Sequence, residues 1–164
     1  MKKKDWCYEP RVQRLRAEIA SDLRTFQSKV EELRGLPQLS GAGRPTLAQA
    51  AVALHHAYGA IESALSRIAR TIDDGLPEGP EWHQALLQVM ALAIDSVRPA
   101  VLSGETCSHL QRLLGFRHFF RHAYAIDWDG SRLEDLRVCA IAAVPLVSYD
   151  LAQFDKYLAE VGIG

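Results

Sequence analysis

The apolar series Leu47, Ala51, Leu54, Tyr58, Ile61, Leu65, Ile68 and Ile72 constrains this chain more than any other feature. Its steps alternate four and three residues, the interval at which side chains return to one face of an α-helix, and it persists for about seven turns. A strand needs alternation by two, a pattern nearly absent from the chain. Thr46 and Gln49 have the spacing of a capping box at the start of this helix, and Asp73-Asp74-Gly75 suits its end.

The same reasoning divides the rest. A first helix is expected over residues 10–34, with Val12, Leu15, Ile19, Phe26, Val30 and Leu33 as its inner face. Gly35 and Pro37 end it, and LPQLSGAGRP, residues 36–45, is a linker rich in Gly and Pro. A third helix is predicted from Pro80 to about Val97, since Gly79-Pro80-Glu81 suits a helix start. A fourth runs from about Gly104 to Ile126. The fifth begins at Ser131, which forms a capping box with Glu134, and its stripe is Leu133, Leu136, Ala140, Val144, Val147, Leu151, Phe154, Leu158 and Val161. Pro145 lies inside that run and predicts a kink or break near residues 141–144. Five helices with short connections point to an all-α, single-domain antiparallel bundle over residues 10–164, behind a flexible tail over 1–9. A chain of 164 residues is long enough to enclose a proper core.

Charge and cysteines narrow the classes of function. The formal net charge is -1, so no global cationic field holds the molecule on nucleic acid, and phosphate affinity must come from a local cluster. Cys7, Cys107 and Cys139 are odd in number, and no pair has zinc-knuckle or redox spacing, so reduced thiols in a cytoplasmic protein are expected. The lysines near the start precede no apolar run of a secretory signal, and no apolar stretch is long enough for a membrane helix.

The local cluster is FRHFFRHAY, residues 116–124. On a helix with Arg117 set at zero, Tyr124, Arg121, His118 and His122 fall at about -20°, 40°, 100° and 140°, and the apolar side chains occupy the other arc at about 200–300°. Leu110 and Leu114 continue the arginine row one or two turns upstream, which predicts that the row faces a cleft or a subunit interface. Arginine is a permanently charged, forked donor suited to phosphate oxygens, and histidine moves protons near neutral pH. Together they suit metal-free RNA cleavage: a histidine assists the 2′-hydroxyl or the leaving oxygen, and an arginine stabilises charge developing on the phosphate.

Blander readings compete. Two arginines and two histidines also make an ordinary solvated face. His118 and His122 have the i, i+4 spacing of zinc ligands, but no Glu or Cys shares their arc and the arginines repel a cation, so no metal is expected there. His55 and His56 point about 100° apart, one partly buried and one at the surface. His83 and His109 have no motif around them. Asp127-Trp128-Asp129-Gly130 lacks the ligands of a calcium loop and reads as a turn before a helix.

The cluster resembles the signature of HEPN-domain proteins, an arginine and a polar residue followed by a histidine. Here Arg117 and His122 enclose His118, Phe119, Phe120 and Arg121, and Tyr124 follows, the arginine-x4-histidine-x-tyrosine form of HepT-like toxins. Tyr58-Gly59-Ala60-Ile61-Glu62, Trp82-His83 with Leu86-Leu87, and Arg98-Pro99 also resemble landmarks of that group. The resemblance implies a homodimeric helical bundle with the two motif helices facing across a cleft. It implies metal-independent, cofactor-free endoribonuclease activity on transfer or messenger RNA, and an antitoxin partner, a minimal nucleotidyltransferase that silences the toxin by AMPylation. Carried over by position, Arg117 and His122 are catalytic, His118 holds the polar place after the arginine, and Tyr124 is the modified residue. Glu62 points towards the motif, and Arg121 binds phosphate from the arginine row. The chief alternative is a non-catalytic helical subunit that binds a nucleotidyltransferase or presents its substrate. A plain scaffold bundle, with the polar arc as surface or interface, is the third reading.

Overall fold

A computed structural model of the chain describes residues 9–121 and 127–163. Five helices follow in order: α1 (Glu9–Gly35), α2 (Arg44–Ile72), α3 (Trp82–Met90), α4 (Gly104–Arg121) and α5 (Gly130–Ile163). Among the described residues there is no strand, only an isolated antiparallel bridge between Ile94 and Arg98. The expected all-α bundle is therefore the observed fold. Of the predicted tail only Glu9 is described, and it opens α1. No described helix is long and apolar enough to cross a membrane.

The six inner-face residues expected of α1 are its buried residues. All eight positions of the α2 stripe are buried too, but so are Ala50, Ala53, Ala57, Ala60, Ala64 and Ala69. Small side chains let neighbours close on α2 from more than one side, and this makes it the central helix. It packs against α1, α3, α4 and α5, while α1 and α4 also pack along α5.

Several boundaries depart from the sequence reading, each for a local reason. Helix α2 starts at Arg44 on an extended Gly43, with no side-chain cap, so the Thr46–Gln49 capping box does not form. Pro45 explains this, because its ring presets the dihedral of a first turn and it has no N–H to satisfy. The end of α2 is as expected: Asp74 takes a left-handed φ of 63°, and the Asp73 and Gly75 N–H groups donate to the Ala69 carbonyl. At α5 the cap is Asp129, whose Oδ1 accepts from the N–H groups of Ser131 (2.9 Å) and Arg132 (3.3 Å). The Ser131–Glu134 box is thereby displaced. Glu134 instead accepts the Leu39 N–H at 2.9 Å and pairs with Arg137, tying the α1–α2 linker to α5. Those bonds, the Leu39 N–H first, hold its carboxyl below the usual range. Pro145 lies within a continuous α5 and does not break it.

The largest correction concerns α3, expected to reach Val97 but ending at Met90. The cause is Arg98, only 3% exposed. Its guanidinium forms a bidentate pair with Asp73 (2.7 and 2.7 Å) and donates to the carbonyls of Val89, Leu92 and Pro99. The Val101 and Leu102 N–H groups then close on the Met90 carbonyl, and Ser96 turns the chain with a φ of 58°. Arg98 thus takes over carbonyls at the end of α3 and fastens them to the end of α2. That strut fixes the C-terminal end of α3 beside the end of α2.

Candidate functional site

His55, Tyr58 and Glu62 are spaced three and four residues apart, so they share the face of α2 that meets α4. Glu62 is an acid among the many buried apolar residues of the central helix α2 and is only 6% exposed. A buried carboxylate needs charged or hydrogen-bonding partners. It has two: Arg117 Nη1 lies 2.8 Å from Oε1 and 2.9 Å from Oε2, and His83 Nδ1 lies 2.6 Å from Oε2. A carboxylate only accepts, so His83 carries its hydrogen on Nδ1 and donates it to Glu62. The 3.3 Å approach of Arg117 Nη1 to that nitrogen is then a contact made over a shared oxygen, not a further bond. Trp82 stacks on His83, with ring centroids 3.7 Å apart, and holds the imidazole from its other side.

Below Arg117 lies Tyr58, its ring centroid 5.8 Å from the guanidinium carbon. Burial first, then the neighbouring Glu62 charge, push the Tyr58 phenol far above its ordinary range, so it stays neutral. His55 stacks on Phe120 at 4.6 Å. Burial first, then the charges of Arg117, His56 and Arg121, lower its pKa. As the pH falls below the free histidine value of about 6.5, the unfolded chain takes up a proton that folded His55 resists. Stability should therefore decline from there through the depressed folded value. A His55→Phe variant should show a flatter pH dependence of urea midpoints over that window.

Three buried side-chain polar atoms lack a partner among the described residues: Arg117 Nε, Tyr58 Oη and His55 Nδ1. All belong to this one neighbourhood. Orphaned buried donors and acceptors cost free energy and gather where function requires them.

Beside the cluster a cleft of about 330 Å³ opens between α3 and α4, lined by Pro80, Glu81, His83, Gln84, Gln111, Leu114, Gly115 and His118. Of the residues singled out by sequence, His118 is exposed and faces this cleft, and Arg121 is exposed at the end of α4. Arg117, its side chain 16% exposed, turns inward to Glu62. His122 and Tyr124, with the last predicted turn of α4, lie outside the described residues. Their flanks are held: Trp128 stacks on Phe120 at 5.7 Å and meets Phe116 at 6.1 Å. Phe116 is buried as expected, whereas Phe119 stays 36% exposed with Arg132 over its ring at 4.9 Å.

Two expectations need correcting. The row of Leu110, Leu114 and Arg117 is expected to face a cleft or a subunit interface, and only part of it does: Leu114 lines the cleft, but Leu110 is fully buried within the single chain. Arg117 turns from that row to Glu62 of the same subunit. His83, which carries no motif, stands at the centre of the site. Its partner is 21 residues away in sequence, so no local spacing reveals it. The available signal was Glu62, an acid beside the apolar stripe of α2. His55 and His56 are half-buried and exposed, as expected. Among the described residues no three His, Cys, Asp or Glu side chains form a metal-sized group.

The fold and site together define an all-helical bundle with an inward-facing arginine, bound by a buried acid, beside a cleft. A sequence model of the family described as HepT-like protein matches residues 49–158, more than half of the chain. The protein belongs to the HepT-like family, whose members are HEPN toxin-type proteins related to ribonucleases. Comparison with curated proteins and with solved structures gave no match.

Proposed function

We propose that the protein is a metal-independent endoribonuclease toxin of a toxin–antitoxin pair, using Arg117 and His122 on a transfer or messenger RNA. The observation that carries this reading is the setting of Arg117, paired with a buried carboxylate that also holds His83 of the cleft. Glu62 occupies Nη1 and fixes the plane of the guanidinium, and with Nε buried this leaves Nη2 for a phosphate. Such preorganised charge stabilises the transition state without reorganising at the moment of reaction. His118 and Arg121 supply polar and cationic surface at the same end of α4. Two copies in a homodimer would add a second Arg112, Arg117 and Arg121 to the groove, offsetting the net charge of -1.

The partner is a minimal nucleotidyltransferase that transfers AMP to Tyr124. An adenylyl group there would place a negatively charged phosphodiester two residues from His122, where it competes with RNA phosphate for Arg117 and Arg121. Tyr124→Phe should then keep its toxicity and escape the antitoxin. Full neutralisation of that variant in a growth assay would remove Tyr124 modification from the scheme.

The direct test compares bacteria expressing the wild type with bacteria expressing His122→Ala, with total RNA examined from both. Growth arrest and RNA fragments from the wild type alone are expected. Harmless expression of both, with intact RNA, would replace the nuclease by a non-catalytic subunit that binds the nucleotidyltransferase.

A further inference from the structure

Cleavage of RNA through its own 2′-hydroxyl requires two proton transfers, one from the attacking oxygen and one to the departing oxygen. The arginine–histidine motif assigns a catalytic part to one of its histidines, His122, while His118 holds its polar place. We propose that His83, outside that motif, is a catalytic residue of the same cleft and serves as its general base. The inference rests on the nuclease reading above and deepens it.

The geometry is that of an oriented base. Glu62 accepts the Nδ1 hydrogen of His83 at 2.6 Å, which leaves the lone pair of the neutral ring on Nε2. Trp82, stacked at 3.7 Å, fixes the ring plane. The imidazole lines the cleft that His118 lines from α4, and its side chain is 18% exposed, enough to meet a ligand. The carboxylate that orients it also holds Arg117, so base and phosphate-binding group are set by one buried acid. Glu62 is accordingly a positioning residue for both.

In the step this implies, His83 Nε2 removes the proton from a ribose 2′-hydroxyl. The freed oxygen attacks the adjacent phosphorus, and negative charge on the phosphoryl oxygens falls to Arg117. The P–O5′ bond breaks, and the departing oxygen takes a proton from His122. The products are a 2′,3′-cyclic phosphate end and a 5′-hydroxyl end. Proton exchange with solvent then returns both histidines to their starting forms, and no other reactant is consumed.

The test separates a base from a mere tether. In His83→Asn the side-chain amide sits near the position of Nδ1–H and can still donate to Glu62, but nothing replaces Nε2. His83→Gln serves as a second variant, and thermal unfolding of both shows that the bundle is retained. Cleavage of a defined RNA should fall about 10²–10⁴-fold in His83→Asn, the usual worth of a general base, with RNA binding little changed. An RNA carrying sulfur in place of the bridging 5′-oxygen has a leaving group that needs no acid. On it the His122→Ala defect should largely vanish and the His83→Asn defect should persist. Near-wild-type cleavage by a folded His83→Asn, or a defect erased by the sulfur substrate, overturns the role of His83 while the nuclease reading stands. A wild type that cleaves no RNA overturns both.

Discussion

Arg117→Ala should lower RNA cleavage about 10²–10³-fold, the scale of losing one preorganised donor to the transition state. It should also unfold at lower denaturant, which separates it from an ordinary active-site replacement. Glu62 is 6% exposed and would keep only His83 as a partner. Removing one member of a buried ion pair typically costs about 3–5 kcal/mol, because the remaining charge stays desolvated. The double variant Glu62→Gln with Arg117→Ala should therefore regain much of the lost stability and remain inactive. If Arg117→Ala alone is as stable as the wild type in urea, the pair is not the buried contact described. If the double variant regains cleavage, Arg117 has no part in the chemistry.

Arg98→Ala should produce the largest loss of stability of any single exchange outside the apolar core. The guanidinium is the common partner of Asp73 and of the Val89, Leu92 and Pro99 carbonyls, and its side chain is wholly buried. Its removal leaves a nearly buried carboxylate and three backbone acceptors to find new partners. An expectation of about 3–5 kcal/mol follows from the ion pair alone. Thermal unfolding would show it as a fall in Tm of roughly 10 °C or more for a chain of this size. Because this strut ties the C-terminal end of α3 to α2, the variant should also loosen His83 from Glu62. Cleavage should then fall even at temperatures where the variant is fully folded. A variant with wild-type Tm would mean that the end of α3 is held by its apolar contacts and not by Arg98.

Glu62 shows how far sequence reasoning reached into the site. Its direction, from α2 towards the motif, came from the resemblance alone, because the apolar stripe of α2 passes through Tyr58, Ile61 and Leu65 and does not include it. The resemblance placed the acid only towards the motif; that its partner there is Arg117 came from the packing. That it would meet His83 was not legible, since His83 lies in the first turn of a separate short helix, 21 residues away in sequence. The N-terminal caps illustrate the same limit on a smaller scale. Thr46 and Ser131 are good capping residues, but Pro45 and Asp129 lie beside them and offer a better fit to the first turn.

By itself the sequence determined the five helices, the buried faces of α1 and α2 and the Arg117 motif. These depend on periodicity and local chemistry that a chain carries along its length. Only the tertiary structure decided that α3 stops at Met90, that Leu110 belongs to the core of one subunit, and that one carboxylate holds Arg117 and His83 together. The physical reason is the range of the contacts. Glu62 reaches His83 across 21 residues and Arg117 across 55, and such meetings are fixed by how helices pack, not by the spacing within any one of them.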